Sequence, residues 1–227
     1  MGLKLNDLTV WYKKGNTVLH ELSLELRDNE VVGLIGLNGA GKSTLINTLS
    51  GIHSSYSGGM DFSDRSFKLT RYTVFSEDTS FRYYTFSEYL SHVFAAYGKK
   101  PSAARINELT DGFGFGGYKN VLINDLSEGN RRKVYLITGF ALGLPLLMLD
   151  EPVNGLDFNS TEFLYTQIND YRKYGTVFFS SHILESICLT ADSVLVLRNG
   201  RIERTFPKEK INSEDIREVL NDTTAQS

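Results

Sequence analysis

Val31-Val32-Gly33-Leu34-Ile35-Gly36-Leu37-Asn38-Gly39-Ala40-Gly41-Lys42-Ser43-Thr44 is the stretch that decides the fold. Its first five residues make a continuous apolar run, the pattern of a short strand buried on both faces. Gly36 to Thr44 fits the spacing G-x-x-x-x-G-K-[ST], and a helical pattern runs from Lys42 to Leu49 until Gly51 stops it. Strand, glycine-rich turn and helix in that order form an anion cradle. The glycines let successive N–H groups converge on phosphate oxygens, and the helix dipole adds positive potential there. Gly36, Asn38, Gly39, Ala40, Gly41 and Thr44 are expected to surround the phosphates of a nucleotide. Lys42 is expected to reach the β- and γ-phosphates, and the Ser43 hydroxyl to bind Mg²⁺.

Working outward, Leu3 to Tyr12 and Thr17 to Arg27 alternate apolar and polar residues around Lys13-Lys14-Gly15-Asn16, which predicts an antiparallel hairpin. Met60 to Tyr97 is rich in aromatics, among them Phe67, Phe81, Tyr83, Tyr84 and Phe86; it begins strand-like and turns helical near Ser87. Lys99 to Leu109 predicts a second helix, and the Gly/Phe loop from Asp111 to Gly117 closes a small helical insertion at about residues 78–135. Arg131 to Leu142 predicts a helix, with Arg131, Arg132 and Lys133 as its solvated start. Leu146 to Leu149 is a buried strand, Asn159 to Tyr174 a helix, Thr176 to Ser181 a strand, and Ile183 to Leu189 a short helix. Asn199-Gly200 is a hairpin turn between Val194-Leu195-Val196-Leu197 and the neighbours of Ile202. The tail, residues 207–227, holds one helix from Ser213. The expected fold is α/β: a P-loop NTPase in one domain over residues 1–227, with a mainly parallel core sheet, an antiparallel β subdomain and a small helical insertion.

The composition narrows the function. The chain has 227 residues, 24 Lys+Arg against 27 Asp+Glu and a formal charge of −3, with no long basic run, which argues against nucleic acid as a partner. No apolar run is long enough to cross a bilayer, and the start of the chain lacks the pattern of a secretory signal, so a cytoplasmic location is expected. The single cysteine, Cys188, has no disulfide partner and is expected to be a small buried apolar residue. His20, His53 and His92 lack metal-ligand spacing and are read as structural or exposed.

A phosphate loop needs a carboxylate at the carboxyl end of a neighbouring strand, where ligands of open α/β sheets collect. Asp150 follows four apolar residues and is expected to hold Mg²⁺ through water. Glu151, next in the chain, is the candidate general base for an attacking water. Ser127 is a good cap for the following helix, whose start would be a second anion site.

With these residues in place, the sequence resembles the nucleotide-binding subunit of an ABC transporter over nearly its whole length. Leu126-Ser127-Glu128-Gly129-Asn130 looks like the family's L-S-G-G-Q signature, Asn154-Gly155-Leu156-Asp157 resembles its D-loop, and His182 falls where the family has a switch histidine. The resemblance implies that Tyr12 stacks on adenine, that His182 contacts the γ-phosphate, and that Ser127 and Gly129 bind ATP held by a second copy in a head-to-tail dimer. It also implies a separately encoded membrane-spanning subunit, energised by ATP hydrolysis from the cytoplasmic face of the membrane. The short segment between Glu77 and Leu126 looks more like exporter ATPases. Glu128 replaces the signature's first glycine and Asn130 its glutamine. Phe75-Ser76-Glu77-Asp78 aligns with the Q-loop and puts Glu77 at the position of a glutamine that ligates the metal. The two carboxylates leave open an alternative, an ATP-gated regulatory or interaction module with weak hydrolysis.

Overall fold

The computed structural model describes residues 3–13, 15–62 and 69–221. Lys14 of the first turn, Phe67 and the tail beyond residue 221 lie outside the described residues. In chain order the elements are β1 (Leu3–Lys13), β2 (Asn16–Leu26), β3 (Val31–Ile35), α1 (Lys42–Ser50), β4 (Tyr56–Phe62), β5 (Arg71–Val74), α2 (Phe86–Ala96) and α3 (Ala103–Gly112). There follow α4 (Glu128–Leu142), β6 (Leu146–Leu149), α5 (Phe158–Asp170), β7 (Thr176–Ser181), α6 (Leu184–Thr190), β8 (Ser193–Arg198), β9 (Arg201–Pro207) and α7 (Ser213–Asn221).

The strands form two sheets. One is antiparallel, in the order β2-β1-β4; the other has six strands in the order β5-β6-β7-β3-β8-β9, parallel except for β9, which runs antiparallel to β8. Asn199 and Gly200 turn between β8 and β9 with φ of 46° and 75°, the backbone that an Asn-Gly hairpin turn supplies. The core strands read as apolar runs because they serve two cores. Val31, Ile35, Leu147, Leu149, Val177, Phe179, Val194 and Val196 face one cluster with the helices of the insertion, whereas Val32, Leu34, Leu146, Met148, Phe178, Leu195 and Leu197 face the antiparallel sheet and α1. The period of two along each strand sorts them.

The chain leaves the sheet after β5 and returns to the adjacent strand β6, with α2, α3 and α4 between. Helix α2 opens with a capping box, in which Thr85 accepts from the Glu88 N–H and Glu88 accepts from the Thr85 N–H. Helix α3 begins at Ala103, later than the sequence suggests, because Pro101 precedes its cap Ser102. The aromatic cluster divides: Phe86 and Tyr89 are core, while Phe81, Tyr83 and Tyr84 are exposed. His53 Nε2 donates to the Trp11 carbonyl, 2.9 Å away, and His92 packs against Phe81 and Tyr84. Cys188 is half-buried against the larger core, short of the full burial expected.

Candidate functional site

The phosphate loop joins β3 to α1. Gly41 caps α1 with φ of 108°, a left-handed backbone that favours glycine, and a Cβ there would stand 2.6 Å from Leu19. Lys42 is buried, and its ammonium donates to the Gly36 carbonyl at 2.8 Å. Asn38, Gly39, Gly41, Lys42, Ser43, Thr44, Ser76 and Glu151 line a cavity of about 260 Å³. The Tyr12 hydroxyl lies 3.3 Å from Thr44 Oγ1, and its half-exposed ring tilts against His53.

Asp150 and Glu151 leave the end of β6. Pairing of Leu149 with Phe179 brings Asp150 alongside Ser180 of β7. The buried Ser180 hydroxyl donates to Asp150 Oδ1 at 2.6 Å and accepts the Glu151 N–H at 2.9 Å. Glu151 itself has φ of 49°, a conformation uncommon for a residue with a side chain and concentrated at functional sites. Its carboxylate lies between two cationic or proton-bearing groups: Oε1 is 3.4 Å from Lys42 Nζ, and Oε2 is 2.7 Å from His182 Nδ1. The His182 N–H also donates to Oε2 at 3.2 Å. Lys42 and Glu151, predicted from separate segments, therefore line one cavity, and His182 joins them through the Glu151 carboxylate.

Helix α4 starts at Glu128, three residues before the expected start, because Ser127 Oγ accepts the Asn130 N–H and caps it there. Arg132 and Lys133 consequently sit inside the helix and are buried, a correction to their reading as a solvated start. Lys133 Nζ pairs with Asp157 Oδ2 at 2.9 Å. This bond, with the N–H and hydroxyl of Ser160, holds the Asp157 carboxyl well below the usual carboxylate range. Gly129 is packed against the loop that contains Gly155: a Cβ at Gly129 would overlap the Gly155 carbonyl oxygen. Its missing side chain is thus required within the chain.

Glu77 is exposed and borders a neighbouring cleft of about 250 Å³, lined with it by Asp78, Glu128, Arg131, Arg132 and Tyr135. Ser76, one residue earlier, borders the phosphate-loop cavity. Two of the three residues that depart from the family's motifs, Glu77 and Glu128, therefore share one cleft. Sequence reasoning overlooked Ser76, Ser180 and the buried Arg132. For Ser180 the only signal was strand register, which a single sequence does not display.

The family model described as ABC transporter matches residues 19–154. A putative ABC transporter ATP-binding protein of Bacillus subtilis, AlbC, is 37% identical over 218 residues, covering 90% of this chain and 91% of that relative. The solved ATP-binding subunit of an ABC transporter superposes with a TM-score of 0.86 at 25% identity, over 98% of this chain and 100% of that one. A dimeric bacterial ABC transporter cassette, MJ0796, has the same fold, with a TM-score of 0.81 at 20% identity over 91% of this chain and 98% of that one. The motif order, the cassette fold and these likenesses agree: the chain belongs to the family of ABC transporter ATP-binding proteins.

Proposed function

We propose that this chain is an Mg²⁺-dependent ATPase, two copies of which close head to tail over ATP and drive a separately encoded membrane-spanning subunit. The observation that carries the reading is the Glu151 carboxylate, held at the phosphate-loop cavity between Lys42 and His182. The half-exposed Tyr12 ring stacks on adenine, and the N–H groups from Gly36 to Thr44 surround the phosphates while Lys42 neutralises them. The Ser43 hydroxyl and the Asp150 carboxylate are hard oxygen donors of the kind Mg²⁺ prefers, and Ser180 orients the second of them. When bound, Mg²⁺ supplies charge neutralisation at the β- and γ-phosphates. Glu151 takes the proton of the attacking water, and His182, on the other side of its carboxylate, fixes the water's direction. Ser127 and Gly129, at the start of α4, complete the site of the second copy; a cassette of the same fold is dimeric.

Among the described residues no helix is long and apolar enough to cross a membrane. In this reading the partner subunit holds the chain at the cytoplasmic face of the membrane. The compact segment between Glu77 and Leu126 supports export as the direction, by its similarity to exporter ATPases. The test is Glu151→Gln in the purified chain. It should retain ATP binding, lose nearly all turnover and accumulate an ATP-bound dimer; unchanged turnover removes Glu151 from its role. If the unsubstituted chain binds ATP but shows no hydrolysis with or without membranes, the ATP-gated module replaces the enzyme.

A further inference from the structure

Arg132 lies one turn inside α4, and its guanidinium is turned under the site, with the residue only 5% exposed. Nη1 donates to the Phe75 carbonyl at 2.9 Å and to the Asp150 carbonyl at 3.2 Å, and Nη2 donates to the Ser76 carbonyl at 2.6 Å. These acceptors come from two places. Phe75 and Ser76 form the segment that leaves β5, and Asp150 ends β6 and leads directly into Glu151. Ser76 in turn borders the phosphate-loop cavity. One side chain therefore joins the beginning of α4, which carries Ser127 and Gly129, to both segments flanking this chain's own phosphate loop.

The chemistry makes this a stiff connection. A guanidinium is a planar fork whose donors have fixed directions, so three carbonyls can satisfy it only while they keep their places. Burial lowers its affinity for the proton, and the carboxylates of Asp150, Glu128, Glu151 and Asp78 oppose that effect. A displaced Ser76 or Asp150 would leave a buried charge short of partners, a costly state that α4 avoids by moving with them.

We propose that Arg132 is a positioning residue that links the two half-sites of one chain, so that the seating of Ser76 and Asp150 around bound ATP sets where Ser127 and Gly129 stand for the partner copy. The proposal rests on the composite ATP site described above. Arg132 touches neither nucleotide nor water in this role. Because such coupling is reciprocal, closure over the partner's ATP also favours the seated form of Ser76.

The experiment measures MgATP turnover for the unsubstituted chain, Arg132→Gln and Arg132→Lys, alongside ATP affinity in dilute, monomeric samples without Mg²⁺. Arg132→Gln should lower kcat at least about tenfold and bring the Hill coefficient from above one down to one, with ATP affinity kept within about threefold; Arg132→Lys should recover part of both. Unchanged kcat and Hill coefficient in folded Arg132→Gln overturn the proposal. So does a loss of affinity that matches the loss of turnover, which would reduce Arg132 to a support of the phosphate loop. Should Arg132→Gln not fold, hydrogen exchange on the unsubstituted monomer decides: ATP should slow exchange over residues 128–134 as well as 36–44, and protection confined to 36–44 overturns the link. An unsubstituted chain that binds no ATP overturns the site reading itself, a result distinct from any of these.

Discussion

Ser180→Ala removes one oxygen and breaks two bonds in the most buried part of the site. Ser180 Oγ accepts the Glu151 N–H and donates to Asp150 Oδ1, and the residue has no exposed surface. Loss of the acceptor strands a buried N–H, which costs about 1–3 kcal/mol, and loss of the donor takes a bond worth about 1.5–3 kcal/mol from a carboxylate. Removing the hydroxyl's own desolvation offsets part of this, so a net loss of about 3 kcal/mol is expected. At about 3 kcal/mol per molar urea for a chain of this size, the unfolding midpoint should fall by about 1 M. Trp11, the single tryptophan, reports the transition by fluorescence. Because the same N–H steadies the left-handed backbone at Glu151, turnover should drop by more than the folded fraction accounts for, and half-saturation by Mg²⁺ should rise as Asp150 loses its orientation. Ser180→Cys, with a weaker donor and acceptor of similar shape, should fall between. A Ser180→Ala chain within about 0.5 kcal/mol of the parent and with an unchanged Mg²⁺ dependence would refute the reasoning.

Two further perturbations probe the framework beneath the site. Tyr171 is wholly buried, and its hydroxyl accepts the Leu144 N–H at 2.8 Å and donates to the Leu144 carbonyl at 3.0 Å; Tyr171→Phe should cost about 2 kcal/mol by urea unfolding, and a neutral outcome would show that Leu144 finds other partners. At Asp192, burial pushes the carboxyl up, but Arg172, Lys208 and the Val31 N–H outweigh it and leave the pKa at about 2. A folded-state pKa below the unfolded value of about 3.9 stabilises the fold above that pH and loses the contribution as pH falls toward 2. Asp192→Asn should therefore cost about 1 kcal/mol at neutral pH, after allowing for solvent screening, and the gap should narrow below about pH 4. A gap that stays constant from pH 7 to 2 would contradict this.

The phosphate loop was legible because its chemistry is local: strand, glycines, lysine and helix occupy consecutive positions, and the backbone they need is fixed by residue type. The parallel core was legible for a related reason, since doubly buried strands read as uninterrupted apolar runs. The start of α4 lies before the position its polarity suggests, because the cap Ser127 precedes the polar run Arg131-Arg132-Lys133, which reads in sequence as a solvated beginning. A cap overrides polarity, and once the helix starts at Glu128 its turn rotates Arg132 and Lys133 inward, where carbonyls and Asp157 receive them. Ser180 and Ser76 act across strands and loops remote in sequence. Register and loop path bring them to the site, and neither follows from local spacing.

The place of β3 in the sheet carries a consequence for how the protein comes into being. Its hydrogen-bonding neighbours are β7 and β8, which begin at Thr176 and Ser193, so the strand that launches the phosphate loop emerges early from the ribosome and finds its partners late. Until then its apolar residues lack their flanking strands, and such unpaired edges invite aggregation or chaperone capture during synthesis. Nucleotide affinity is thus expected only once β7 and β8 have been made, and products that stop before β8 should not compete for nucleotide.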